Sequence, residues 1–209
     1  MTGKRTLWAL VPIVILMTGL FCVQANATTL EEIRTAAGTI SSLSAGFTQE
    51  KQMKILVKPL ISKGIIRYQF PNLLRFEYQE PIKNILIMKE KTISRYIEKG
   101  NGFVLDKASA MGAMDIVMDE ISRWIKGDFD TTMFTAAFEG KPEPGRIILK
   151  PRDNTMNSFI QAIELVLSDH PGVFKEVIIR ENENSYTRLI FDTVMINTEI
   201  NPDMFNIPK

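Results

Sequence analysis

Gly64-Ile65-Ile66-Arg67-Tyr68-Gln69-Phe70-Pro71-Asn72-Leu73-Leu74-Arg75-Phe76-Glu77-Tyr78-Gln79-Glu80-Pro81 is the stretch that decides how this chain folds. Ile66, Tyr68 and Phe70 alternate with Ile65, Arg67 and Gln69; beyond them Leu74, Phe76 and Tyr78 alternate with Arg75, Glu77 and Gln79. A period of two is what a strand needs when one side is buried and the other is wet. Pro71-Asn72 breaks the run and turns the chain back. The stretch therefore predicts an antiparallel hairpin with one apolar, aromatic face and one charged face.

The same pattern continues on both sides. Strand alternation is expected over Phe47 to Val57, Ile61 to Phe70, Leu73 to Gln79, Asn84 to Met88, Thr92 to Ile97 and Gly102 to Leu105. It returns from Thr131 to Phe138, Arg146 to Lys150, Ile160 to Leu167, Val173 to Arg180 and Ser185 to Asn197. Turn signals separate these runs, giving a meander of about eleven antiparallel strands. Thr28 or Thr29 caps a short helix from Leu30 to about Ile40, with Glu31 and Glu32 in its first turn. The main interruption lies between Ala108 and Lys126, where Met111, Met114, Met118, Ile121 and Ile125 recur at three- and four-residue steps. That spacing predicts an amphipathic helix, closed by Gly127. The tail, Asn201 to Pro208, carries one bulky anchor, Phe205.

The first 27 residues are a different material. Lys4 and Arg5 precede an apolar run from Leu7 to Val23, and Ala25-Asn26-Ala27 supplies small residues for cleavage before Thr28. This is the pattern of a secretory signal peptide, leaving residues 28–209 as one exported domain. An uncleaved anchor is the alternative, since the run nearly spans a bilayer core. A lipoprotein signal at Cys22 fits poorly, because bulky Phe21 precedes the cysteine. Cys22 is the single cysteine, so the exported chain has none and depends on its core alone.

The 209 residues carry 25 basic and 24 acidic side chains. Loss of Lys4 and Arg5 leaves the domain at a net charge of −1, which argues against nucleic acid as a partner. Catalytic material is scarce. One histidine, His170, sits in a Pro-Gly turn, and no cluster suggests a metal or glycine-rich phosphate loop. The carboxylates Asp115 and Asp119 lie one helical turn apart on the face opposite the methionines, as on an ordinary wetted helix surface. Neither an enzyme nor a cofactor is expected.

Nine methionines follow residue 27. A methionine stripe is usually core, yet methionine also serves surfaces that accept variable apolar guests. A curved sheet covered by one amphipathic helix encloses a space that is either packed solid or open to acyl chains. Each methylene buried there contributes about 0.8 kcal/mol.

In these residues the chain resembles the LolA family of periplasmic lipoprotein carriers. Leu43-Ser44-Ala45-Gly46-Phe47-Thr48-Gln49 is similar to the family's S-F-x-x-x-F-T-Q opening of the first strand. Gly64 to Pro81 follows G-x-(L/I)-x-(V/Y)-x-x-P-N-x-(L/F)-x-(W/F)-x-x-x-x-P, and Ile85 to Tyr96 matches the next strand pair. Asn197 to Pro208 resembles the N-x-x-(I/L)-(D/N)-x-x-x-F-x-x-P ending. The resemblance implies an unclosed antiparallel half-barrel of eleven strands with a helical lid over a hydrophobic cavity. It implies a monomeric periplasmic carrier, receiving lipoproteins from an inner-membrane ABC transporter and passing them to an outer-membrane acceptor. Ile66, Tyr68, Phe70, Leu74, Phe76 and Tyr78, with Met111, Met114, Met118 and Ile121 from the lid, are the expected cavity lining. The alternative is a solid-cored envelope module that binds proteins or assists biosynthesis and takes no lipid. One position departs from the family: an arginine that often precedes the turn proline and latches the lid is here Phe70. A lid held by apolar contact alone is the expectation that follows.

Overall fold

The structure, a computed structural model, describes residues 29–90, 92–107, 113–140 and 144–207. The expected signal segment, Cys22 and Met111 lie outside them. Two segments open the described chain, helix α1 (Leu30–Gly38) and strand β1 (Ser42–Gln52). Then come β2 (Leu60–Gln69), β3 (Leu73–Glu80), β4 (Asn84–Lys89), β5 (Thr92–Lys99) and β6 (Gly102–Leu105). Helix α2 (Ala113–Trp124) follows, then β7 (Phe134–Glu139), β8 (Arg146–Pro151), a one-turn helix α3 (Asn154–Asn157) and β9 (Ala162–Leu167). The chain ends with β10 (Phe174–Asn182), β11 (Ser185–Ile196) and a 3-10 turn, Pro202–Phe205.

All eleven strands form one antiparallel sheet in the order β6-β5-β4-β3-β2-β1-β11-β10-β9-β8-β7. Each strand pairs with its successor in the chain except β6 with β7. The first and last strands pair with one another in the middle, Phe47 opposite Phe191. The edges β6 and β7 do not pair, so the barrel is unclosed, and α2 is the connection between them. The helix lies on the concave side, where Ile121, Trp124 and Ile125 join the core with Ile66.

Local chemistry fixes the elements. Thr29 caps α1 in a reciprocal box: its hydroxyl accepts from the Glu32 amide at 3.2 Å, while the Glu32 carboxylate accepts from the Thr29 amide at 2.9 Å. Helix α2 stops at Gly127, whose amide donates to Trp124 O at 2.9 Å while Asp128 N donates to Arg123 O at 3.0 Å. Gly127 has φ +80°, and a Cβ there would stand 2.7 Å from the Arg34 backbone of α1. Glycine alone satisfies both conditions, so the lid's C-terminal end is seated against α1.

The hairpin parity places two layers. Ile66, Tyr68, Leu74 and Phe76 are buried on the concave face and join one large core with Val117, Met118, Ile121, Trp124 and Ile125. On the convex face Arg75 contacts Glu77 at 3.0 Å and donates to Met204 O at 2.9 Å, and Arg67 reaches the same carboxylate at 3.4 Å. The tail crosses there and buries Phe205, near a smaller cluster of Ile85, Ile87 and Tyr96. Three expectations differ from what is found. Strand β1 begins at Ser42, five residues earlier than its alternation suggests, and ends at Gln52 instead of Val57. Strand β2 ends at Gln69, so Phe70 belongs to the turn. Asn154–Asn157, expected as loop, makes a helical turn capped by the Asp153 carboxylate accepting from the Thr155 amide at 2.8 Å.

Candidate functional site

The concave side is filled more completely than an open hollow. Between α2 and the middle of the sheet lies an apolar cleft of about 40 Å³. That is room for about one water-sized group, against several hundred Å³ in a typical small-molecule site. Leu43 and Ala45 of β1 and Ile66 of β2 form one wall; Val173 just before β10, Val177 of β10 and Phe191 of β11 form the other. Ile121, Trp124 and Ile125 roof it. The cleft runs along the seam where the two chain ends pair, the part of the sheet farthest from its free edges.

Of the residues expected to line a cavity, Ile66 and Ile121 border this cleft. Tyr68, Leu74, Phe76, Tyr78 and Met118 are buried in the surrounding core, one layer away from it. Phe76 and Tyr78 pack edge-on to Phe47, with ring centres 5.5 and 5.1 Å away. Phe70 is 48% exposed at the turn. Met111 and the Met114 side chain lie outside the described residues. Leu43, Ala45, Trp124, Ile125 and the β10–β11 wall were not anticipated; the alternation of both strands contained the signal, but their pairing with β1 did not show in it.

Two groups carry polarity into this apolar region. Trp124 is 1% exposed and lies edge-to-face with Phe134 at 6.4 Å, and its indole Nε1–H meets no acceptor among the described residues. An unsatisfied buried donor costs about 1–3 kcal/mol. Tyr68 donates from its hydroxyl to Pro71 O at 3.3 Å, and burial raises the phenol from 10.0 to about 12. Because the fold favours the neutral phenol, this contribution to stability is intact below pH 10.0 and is lost as the pH climbs towards about 12. An ultraviolet tyrosinate titration should show a late step near that upper value, absent in Tyr68→Phe; ionisation of all tyrosines together would contradict it.

The Phe70 turn corrects the expectation of a purely apolar latch. Lys126, two residues beyond α2, places its Nζ over the Phe70 ring, 3.2 Å from the centroid. The cation belongs to the lid and the acceptor is the aromatic face on the hairpin. Such a contact is worth about 0.5–2 kcal/mol. Phe70→Leu keeps the apolar contact and removes the π face, so a bound apolar probe should dissociate roughly two- to thirtyfold faster. An unchanged rate in stopped-flow release would mean that apolar contact suffices.

His170 is a solvated turn residue, its Nδ1 3.0 Å from Pro171 O. Among the described residues no group of three or more His, Cys, Asp or Glu could hold a metal ion.

The family model described as outer membrane lipoprotein carrier protein LolA matches residues 38–208. An outer-membrane lipoprotein carrier protein of Nitrosomonas europaea is 22% identical over 197 residues, covering 92% of this chain and 91% of that one. Among solved structures, a DUF1329 family protein from Desulfovibrio piger superposes with a TM-score of 0.51 at 7% identity, covering 85% of this chain and 94% of that one. MucB superposes with a TM-score of 0.50 at 13% identity over 85% of this chain, which spans 60% of the MucB chain. These two likenesses establish the shared fold.

Proposed function

The chain belongs to the LolA family of outer membrane lipoprotein carrier proteins, and on that premise we propose that it carries lipoprotein acyl chains, or a related lipid, through the periplasm. Residues 1–27 direct export and are removed. The cargo comes from an inner-membrane ABC transporter and goes to an outer-membrane acceptor. The observation that carries this reading is the apolar cleft between α2 and the β1–β11 seam, lined by apolar side chains throughout.

About 40 Å³ does not hold an acyl chain, so loading requires α2 to lift from the sheet. The helix is suited to this. It is anchored at its C-terminal end by Gly127 and Lys126, and its underside is side-chain packing without a backbone ladder to the strands. Lifting exposes Ile121, Trp124 and Ile125, and an acyl chain replaces those contacts at about 0.8 kcal/mol per buried methylene. The narrowness of the same cleft favours the second reading, a solid-cored envelope module.

Displacement of a fluorescent apolar probe separates the two. Delipidated carrier should bind the probe and release it to fatty acid and to acylated peptide. Failure to bind probe at all is the result expected of a packed module.

A further inference from the structure

We propose that the β1–β2 connection is a membrane-contact tip that seats the protein on an anionic phospholipid surface. This goes beyond carriage of a lipid in the cleft, because it concerns the outside of the molecule and the bilayer itself.

Lys51 to Lys63 reads Lys-Gln-Met-Lys-Ile-Leu-Val-Lys-Pro-Leu-Ile-Ser-Lys, with four lysines and no acidic residue in a chain that is otherwise nearly balanced. Ile55 is 85% exposed and Val57 is 99% exposed, and Leu60 and Ile61 follow at 53% and 44%. Isolated exposed apolar residues are ordinary; four within seven positions, with bare β-branched side chains at the apex, are not. The connection is built to hold them there. The Gln52 side-chain amide donates to Met53 O at 2.9 Å and Leu56 O at 2.8 Å, and Leu56 N donates to Met53 O at 2.9 Å. Lys54 N donates to Ser185 Oγ at 3.3 Å, tying the connection to β11. Leu56 is partly covered while Ile55 and Val57 on either side of it stand in solvent.

The charges choose the occupant. Lys54, Lys58 and Lys63 are exposed and make no ion pair among the described residues, whereas Lys51 is held by Glu181 at 3.6 Å. Lysine is depleted from protein–protein interfaces, where its desolvation is unfavourable. Around a small apolar apex it suits a bilayer, with the aliphatic tips entering the headgroup–acyl boundary and the ammonium groups staying among lipid phosphates. The apolar rim also continues past the connection. Leu60 and Ile61 share a recess of about 490 Å³ with Ile82, itself 71% exposed in the β3–β4 turn.

Flotation with lipid vesicles tests the assignment, using exported protein whose N-terminus has been checked by mass, so that no signal segment contributes. Vesicles of equal phosphatidylglycerol and phosphatidylcholine should bind the protein, and vesicles of phosphatidylcholine alone should bind it much more weakly. Ile55→Ser with Val57→Ser should lower binding to the anionic vesicles by roughly tenfold or more. Lys54→Gln with Lys58→Gln should lower it by roughly thirtyfold and flatten its salt dependence. All four side chains are exposed, so both double variants should melt like the parent. Equal binding to both vesicle types, no binding to either, or undiminished binding by the Ile55/Val57 variant would overturn the proposal. So would self-association of the parent that the same variant abolishes, which would make the occupant a second copy.

Discussion

Ala45→Leu should abolish most acyl-chain binding and cost about 1–3 kcal/mol of stability. Ala45 is 2% exposed in β1, opposite Ile66, and its methyl group is part of the cleft wall. The substitution adds three carbons where about 40 Å³ is available. Three carbons overfill a space with room for about one water-sized group, so part of the cost is the overpacking of α2 against the sheet. Lipid would lose contact equivalent to about three methylenes, about 2.4 kcal/mol, or roughly fiftyfold in affinity. Titration of delipidated protein with fatty acid, beside a thermal melt, measures both halves. Retained affinity would move the lipid site elsewhere. An unchanged melting temperature would show that the cleft takes the extra carbons without overpacking.

Gly64→Ala should have the largest effect on stability, for a reason that concerns crossing side chains and not backbone freedom. Gly64 in β2 pairs with Phe47 on one side and Tyr78 on the other. A Cβ at this position would collide with the Glu77 carbonyl oxygen and stand 2.8 Å from Phe47 Cζ. The Phe47 ring occupies the missing side chain's place and from there meets Phe76 and Tyr78 edge-on. Neither the β3 backbone nor the buried ring can yield cheaply, so the cost is about 3 kcal/mol or more. In a domain of this size that is roughly 6–12 °C in melting temperature. A shift of a degree or two would mean that the aromatic trio repacks without strain.

The alternation from Gly64 to Pro81 made the hairpin legible, and Arg67, Arg75 and Glu77 indeed share the outer face. Carrying the same parity one residue too far assigned Phe70 to the interior. The strand ends before it, and the ring meets Lys126 instead. Ser42 and Ser44 dilute the apolar signal around Leu43, which places the expected start of the strand at Phe47 and hides the start of β1. Those serines are strand residues because β1 is paired on both sides, Leu43 with Tyr68 and with Ile196. That second pairing closes over 150 residues of sequence and leaves no local trace. It is also what brings Val177 and Phe191 to the same cleft as Ala45, so the far wall of the cleft could not be read from periodicity. The helix stripe identified Met118 and Ile121 as inward-facing, but not that Trp124, at the end of the helix, would cover the remaining space.

Trp124 also supplies the most direct test of the claim that α2 and the sheet part to admit an acyl chain. The sequence holds two tryptophans, and Trp8 lies in the segment expected to be removed on export, so the emission of the exported protein comes from the cleft roof. Titration with a fatty acid brominated along its chain should quench that emission saturably, while the unbrominated acid binds equally well without quenching. Binding of both acids with Trp124 emission undiminished would contradict the account.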